Sequence, residues 1–318
     1  MALLADAGQR GLATFSIGFE EGAGQEGDEF EYSDRIAREF GTEHSRWRVG
    51  PRRVLDAVSG ALEAMSEPMT SHDAVAFYLL SEEVSRSYKV VQSGQGADEV
   101  FAGYSWYPPL ADAPGLGDDV YSDEFLDRDE RELDDLLTPA FRTAEADAPS
   151  RRFVASHFAR AGADTPLDRA LRLDTEIMLV DDPVKRVDNM TMAWGLELRT
   201  PFLDHELVEL AAACPPELKL AQGGKGVLKA AARPLLPDAV IDRPKGYFPV
   251  PAISHLEGES LALVRDALTS AAARDRGLYR PKHVAALLED PVNSRTRIGS
   301  SKLWQVGLLE LWLQHHRI

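Results

Sequence analysis

One cysteine, Cys214, eight lysines and no apolar run near the length of a membrane span mark this sequence of 318 residues. A lone cysteine cannot close an internal disulfide, so the chain reads as a protein of a reducing compartment, the cytoplasm. A bilayer crossing needs about 20 consecutive apolar residues. The N-terminus, Met1-Ala2-Leu3-Leu4-Ala5-Asp6, has neither the basic flank nor the apolar length of a signal peptide. Basic charge is scarce: 35 Lys and Arg face 52 Asp and Glu, a net charge of −17. Such an excess of carboxylates repels phosphate backbones and anionic lipid, which argues against nucleic acid and membrane surfaces as partners. The eight histidines form no His-x-x-x-His pair and no cluster with cysteine, so no zinc site is expected.

What is present is the composition of a globular protein, 44% apolar and 27% charged. The length suits one large or two ordinary domains. From Thr14 to Gly94 strand-like and helix-like segments alternate, the signature of an α/β layer with parallel strands. Phe15–Phe19 reads as a strand, and Glu20–Asp28 as an acidic, glycine-rich loop. A helix closes at Phe40 with Gly41 as its left-handed cap. Trp47–Val49 reads as an edge strand, 51–65 and 73–87 as helices, and Lys89–Gly94 as a strand running into a glycine turn. Pro108–Pro149, dense in Asp, Glu and Pro, reads as an irregular, solvated insertion with one helix near 130–137. Beyond Arg151 the pattern is helical, with apolar faces over 203–211 and 303–312. The division expected is a nucleotide-binding α/β part at 1–105, an acidic insertion at 106–150 and a helical lobe at 151–318.

Ser93-Gly94-Gln95-Gly96-Ala97-Asp98-Glu99 carries the most chemistry. A strand ending in two closely spaced glycines, then a helix opening with two acids, lets backbone N–H groups approach phosphates while a carboxylate holds Mg²⁺. An ordinary strand-to-helix turn, its acids favoured by the helix dipole, reads equally well from spacing alone.

The longer run to Val100-Phe101-Ala102-Gly103-Tyr104 resembles the signature of the asparagine synthetase family. So do, in order, Phe15–Phe19, Phe40-Gly41-Thr42-Glu43-His44, Met192 to Asp204 and Arg243-Pro244-Lys245-Gly246-Tyr247-Phe248. The resemblance implies the parallel nucleotide-binding sheet of the ATP-pyrophosphatase type with a C-terminal helical lobe. It also implies a synthetase that adenylates a small-molecule carboxylate with ATP and Mg²⁺ and forms the amide with ammonia from a glutaminase domain. A homodimer is left open. By resemblance, Ile17, Ser93, Gly94 and Gln95 lie at the nucleotide, Asp98 ligates Mg²⁺, Lys245 contacts phosphate and acyl group, and Lys225 is a second phosphate-side lysine. The paired charges of Asp181–Asn189 could bind substrate; the reading preferred is structural, Asp188 and Arg199 tying the family's helical lobe together by buried or half-buried ion pairs.

Two departures from the family pattern stand out. Its pyrophosphate loop, Ser-Gly-Gly-x-Asp-Ser, and the strand before it do not occur, and position 2 is Ala2 where the glutaminase nucleophile would be Cys. The chain therefore reads as the C-terminal part of a longer synthetase; the alternatives are a non-catalytic remnant or split-chain partner, or a β-lactam-forming or peptide-cyclising synthetase. Gln95 stands where an acid is commoner, and a neutral amide cannot be a general base. With Trp106-Tyr107-Pro108-Pro109 following, this run looks most like N-acetylglutaminylglutamine amidotransferase, which makes an osmolyte.

Overall fold

The computed structural model describes residues 1–20, 29–142, 148–243 and 250–318. The chain divides into two units, each discontinuous in sequence. One comprises Met1–Lys89, Asn189–Leu196 and Pro234–Ile318, the other Val90–Asp188 and Glu197–Arg233.

In the first unit, β1 (Ala13–Phe19) pairs in parallel with β2 (Glu43–Val49), Ile17 opposite Trp47. The Phe30–Phe40 helix makes the crossover, and Gly41, at φ 60°, ends it in the left-handed conformation that costs glycine nothing. Phe15 stacks on Trp47 at 5.9 Å, a same-face neighbour across the pair. The Pro51–Ala64 helix starts on proline at its first position and buries Val54, Ala57, Val58, Ala61 and Leu62, a stripe at helical spacing. Its Gly60 sits so close to the Asp73–Ser85 helix that a Cβ would lie 2.4 Å from the Tyr78 hydroxyl. The Lys302–His315 helix covers the other side: Trp312 Nε1 donates to the Met65 carbonyl at 3.2 Å. Its own Leu303, Trp304, Val306 and Leu308 are buried.

In the second unit, β3 (Val90–Gln92) pairs in parallel with β4 (Glu197–Arg199). The parallel sheet, expected to lack the family's strand between those of Ile17 and Val91, is present as two parallel pairs. β4 also interrupts the stretch read as wholly helical. Its three residues are too few to show an alternation. Arg199 pairs with Glu197 at 2.8 Å, and the two side chains are 62% and 58% exposed, so this pair is not the buried or half-buried one expected. Residues two apart on a strand share a face, and both of these side chains are exposed, so the nearest carboxylate takes the guanidinium.

The acidic insertion is not a solvated lobe. It holds the helix expected near 130–137, Glu130–Leu136, and a further one, Asp118–Phe125, and Tyr107, Leu110 and Tyr121 are fully buried with Phe158, Leu167 and Ala170 in one apolar cluster. Acids line the outside while aromatics at wide spacing face inward. At the centre of the cluster lies the carboxylate of Asp174, wholly buried. It accepts hydrogen bonds from Tyr107 Oη at 2.5 Å, from Trp106 Nε1 at 3.2 Å and from Tyr121 Oη. Burial pushes its pKa up to about 6, against the pull of these three donors. Asp174 opens a π-helical run, Asp174–Met178 and Val180–Val184, that contains Pro183 and leads into the Lys185–Met192 helix. Proline has no N–H and its ring crowds the preceding turn of an α-helix, and the wider winding relieves that crowding.

Candidate active site

β3 hands over to the Ala97–Phe101 helix through the Ser-Gly-x-Gly turn. Ser93 N donates to the Arg199 carbonyl at 2.9 Å, extending the β3–β4 ladder by one bond. Gly96 then takes φ 90°, and a Cβ there would stand 2.2 Å from Leu203 Cδ2, so both backbone and packing require glycine. Gly96→Ala is therefore expected to destabilise the chain by about 2–4 kcal/mol, read as a lower urea midpoint with an unchanged slope. Gly94 differs: no heavy atom lies within 4 Å of where its Cβ would be, so one side of the turn is open.

Asp98 and Lys225, 127 positions apart, meet at this turn. Gly103 N donates to the Asp98 carbonyl at 2.8 Å, folding the chain back after the helix. Lys225 N donates to the Phe101 carbonyl at 3.1 Å, which docks the Gly223-Gly224-Lys225 loop on the same turn. The two Gly Cα atoms at 103 and 224 make that approach possible. A Cβ on Gly103 would lie 2.1 Å from Asp98 Oδ1, and one on Gly224 2.5 Å from the Ala102 carbonyl. The result is an ion pair, Lys225 Nζ to Asp98 Oδ1 at 3.0 Å, with side chains 28% and 25% exposed. A half-exposed pair of this kind adds little stability. Chemically it offers an ammonium to a phosphate and hard carboxylate oxygens to a divalent cation, beside an open glycine.

Glu99, the next residue, points elsewhere. It is buried and accepts the Tyr104 hydroxyl at 2.8 Å, and Tyr104 stacks on Trp106 at 4.1 Å. Burial, with the Glu99 carboxylate beside it, pushes the Tyr104 hydroxyl far above its usual range. From the sequence, Glu99 shares with Asp98 the expectation of a first-turn acid able to hold Mg²⁺, whereas here it is buried against Tyr104, a residue to which the sequence gives no role; an acid and a tyrosine five residues apart in one motif are the available signal.

Ser93, Gly94, Gln95, Asp98 and Lys225 all belong to the second unit. Ile17 belongs to the first, its side chain buried on β1. Lys245 and the rest of Pro244–Pro249 lie outside the described residues, as do residues 21–28 of the acidic loop. The Asp181–Asn189 segment is knitted locally, with Lys185 to Asp181 at 3.5 Å and Arg186 to Asp182 at 2.7 Å, the i, i+4 spacing of a helix face. Among the described residues no group of three or more His, Cys, Asp or Glu could hold a metal unaided, and no helix is long and apolar enough to cross a membrane.

Comparison with known proteins gives this geometry a context. Asparagine synthetase [glutamine-hydrolyzing] 1 of Bacillus subtilis (strain 168) is 26% identical over 332 aligned residues, covering 95% of this chain and 52% of that protein. A putative asparagine synthetase [glutamine-hydrolyzing] of Mycobacterium tuberculosis (strain ATCC 25618 / H37Rv) is 28% identical over 76% of this chain and 41% of that protein. The Homo sapiens asparagine synthetase [glutamine-hydrolyzing] is 26% identical over 74% of this chain and 34% of its own length. The chain thus spans about half or less of the length of these curated relatives. The family model described as asparagine synthase matches residues 1–314, nearly the whole chain, and the chain belongs to the asparagine synthase family.

Proposed function

We propose that this chain is the synthetase part of a glutamine-dependent amidotransferase that activates a carboxylate with ATP and passes it to ammonia. The observation that supports it is the Asp98–Lys225 pair at 3.0 Å on the Ser-Gly-x-Gly turn. In the proposed reaction a carboxylate oxygen of the acceptor bonds to the α-phosphorus of ATP and pyrophosphate leaves. Ammonia then attacks the acyl carbon and AMP departs with the bonding pair. Phosphate-side charge is the main electrostatic demand of the first step. Lys225 supplies one positive group for it, and the open face of Gly94 lets backbone approach the nucleotide.

The residues fit Mg²⁺ in a limited way. That ion is commonly held by one or two carboxylates plus substrate oxygens and water, and Asp98 offers one such carboxylate, now balanced by an ammonium. When bound, Mg²⁺ would neutralise charge on the pyrophosphate. Asp98 would hold it, and Lys225 would turn from the carboxylate to a phosphate oxygen. Ser93, Gly94, Gln95 and Ile17 are proposed nucleotide contacts, and Lys245 the group that meets phosphate and acyl oxygen.

A finer reading concerns the acceptor. Gln95 places a neutral amide where a carboxylate is commoner, which supports an acceptor such as the N-acetylglutaminylglutamine dipeptide. Trp106 and Tyr107 weigh less in that reading than the sequence suggested, because both are engaged with Asp174. Acceptor-dependent exchange of labelled pyrophosphate into ATP tests the proposal, run with aspartate and with that dipeptide in the complete protein. Exchange with neither overturns the synthetase reading and favours a non-catalytic partner. Lys245→Ala is expected to reduce exchange at least 100-fold with an unchanged melting temperature; unchanged exchange removes Lys245 from the site.

A further inference from the structure

The loop that brings Lys225 to Asp98 is wound against the preference of its own residues. Gln222, Gly223, Gly224 and Lys225 take φ of 57°, 75°, 102° and 55°, four positive values in succession, and only the middle two belong to glycine. A Cβ crowds the backbone in that region, so Gln222 and Lys225 stay there only where their surroundings impose it. One side of the loop is seated on the turn, with Lys225 N on the Phe101 carbonyl at 3.1 Å and Gly224 against the carbonyl of Ala102. The other side is held by the helix that follows, Gly226–Ala232.

Lys229, one turn into that helix, ties the loop at both ends. Its backbone N donates to the Lys225 carbonyl at 2.8 Å, and its Nζ donates to the Gln222 carbonyl at 2.7 Å. Arg233, four residues further along the same face, donates from Nη2 to Gln222 Oε1 at 3.0 Å. Two cations thus grip Gln222, one at the carbonyl and one at the side-chain amide. The glycines between Gln222 and Lys225 accept almost any φ, so the shape of the loop is set at its two ends. Left-handed and right-handed residues send the Cα–Cβ bond in different directions. The winding at Lys225 therefore decides whether its ammonium reaches Asp98 Oδ1, as it does at 3.0 Å. We infer that Lys229, assisted by Arg233, is a positioning residue that holds the 222–225 loop in this winding and so presents Lys225 at the Asp98 turn. What Lys225 does there rests on the synthetase reading; how it is held does not.

Lys229→Met and Lys229→Arg in the complete protein test this with two measurements. The first, hydrogen–deuterium exchange without nucleotide, needs no turnover. Lys229 is half-buried on a helix surface, and methionine keeps its length and helix preference, so the melting temperature should not move. The Lys225 amide is nevertheless expected to exchange about 10-fold faster in Lys229→Met, and close to the wild-type rate in Lys229→Arg, whose guanidinium still donates. The second is ATP–pyrophosphate exchange, which should fall about 10-fold in Lys229→Met and recover in Lys229→Arg. Lys225→Met/Lys229→Met should be no slower than Lys225→Met alone, because a residue that acts through Lys225 then has nothing to act on. A double variant slowed by the product of the two single effects makes Lys229 a phosphate ligand in its own right and overturns the inference. So does an unchanged Lys225 amide in Lys229→Met. A wild type that exchanges no pyrophosphate removes the synthetase reading instead, and the amide rates alone then decide whether Lys229 holds the loop.

Discussion

Asp98→Asn in the complete protein is expected to lower ATP–pyrophosphate exchange by about 10²–10³-fold, the scale on which removing one preorganised electrostatic partner acts. The substitution keeps the shape of the side chain while replacing the anionic oxygen that a divalent cation requires by an amide N–H donor. It also leaves Lys225 without its counter-charge at 3.0 Å. Stability should hardly respond, because both side chains are about a quarter exposed and such a pair contributes at most about 1 kcal/mol. Lys225→Met should reduce exchange too. The double variant should fall short of the product of the two single effects, since residues acting as a unit are not additive. Wild-type exchange in Asp98→Asn, with the fold intact, removes this carboxylate from the reaction. Equal losses in activity and in melting temperature would instead make the pair a structural one.

The second large effect belongs to Asp174. Asp174→Ala strips the partner from Tyr107, Tyr121 and Trp106 at once and leaves a hole among them, so it should cost about 3–5 kcal/mol of unfolding free energy. Asp174→Asn separates charge from hydrogen bonding. With the folded pKa raised to about 6 from an ordinary 3.8, the folded state binds the proton more tightly than the unfolded one. The stabilisation that the proton gives is present in full below the ordinary value and is lost as pH rises through 6. By pH 7 that loss is on the order of 3 kcal/mol. The Asn variant has no such proton to lose. Between pH 5 and 7 the wild type should therefore lose about 1 kcal/mol more stability than Asp174→Asn. Parallel pH profiles from urea titrations would show that the buried carboxyl does not titrate in this range.

The helices at 51–64 and 73–85 and the strand through Ile17 were legible because each carries its own periodicity or its own punctuation, as Gly41 does for the helix before it. Asp98 and Lys225 were legible differently. No local pattern joins residues so far apart; only the family motifs named both, and the Gly103 and Gly224 contacts explain why they meet. The acidic insertion was misread because composition averages over a segment, whereas burial is decided residue by residue: Tyr107, Leu110 and Tyr121 turn inward amid acids that do not. Buried charge was the least legible feature. Nothing adjacent in the sequence distinguishes Asp174 or Lys219 from an exposed neighbour, since what compensates Asp174 comes from Trp106, Tyr107 and Tyr121, and what faces Lys219 comes from another helix.

The π-helical run from Asp174 to Val184 has a bearing on how this chain tolerates insertion and deletion. A π turn closes its hydrogen bond one residue later than an α turn, so it amounts to an α-helix that has absorbed an extra residue. Removing a single residue there would let the backbone return to α winding while the Lys185–Met192 helix keeps the face it offers its neighbours, because the wider turn is what already absorbs the extra residue. A deletion inside an α-helical stretch has no such slack and turns everything after it by about 100° about the helix axis. Substitutions in this run act through volume and charge, but a loss of one residue is taken up where it is made.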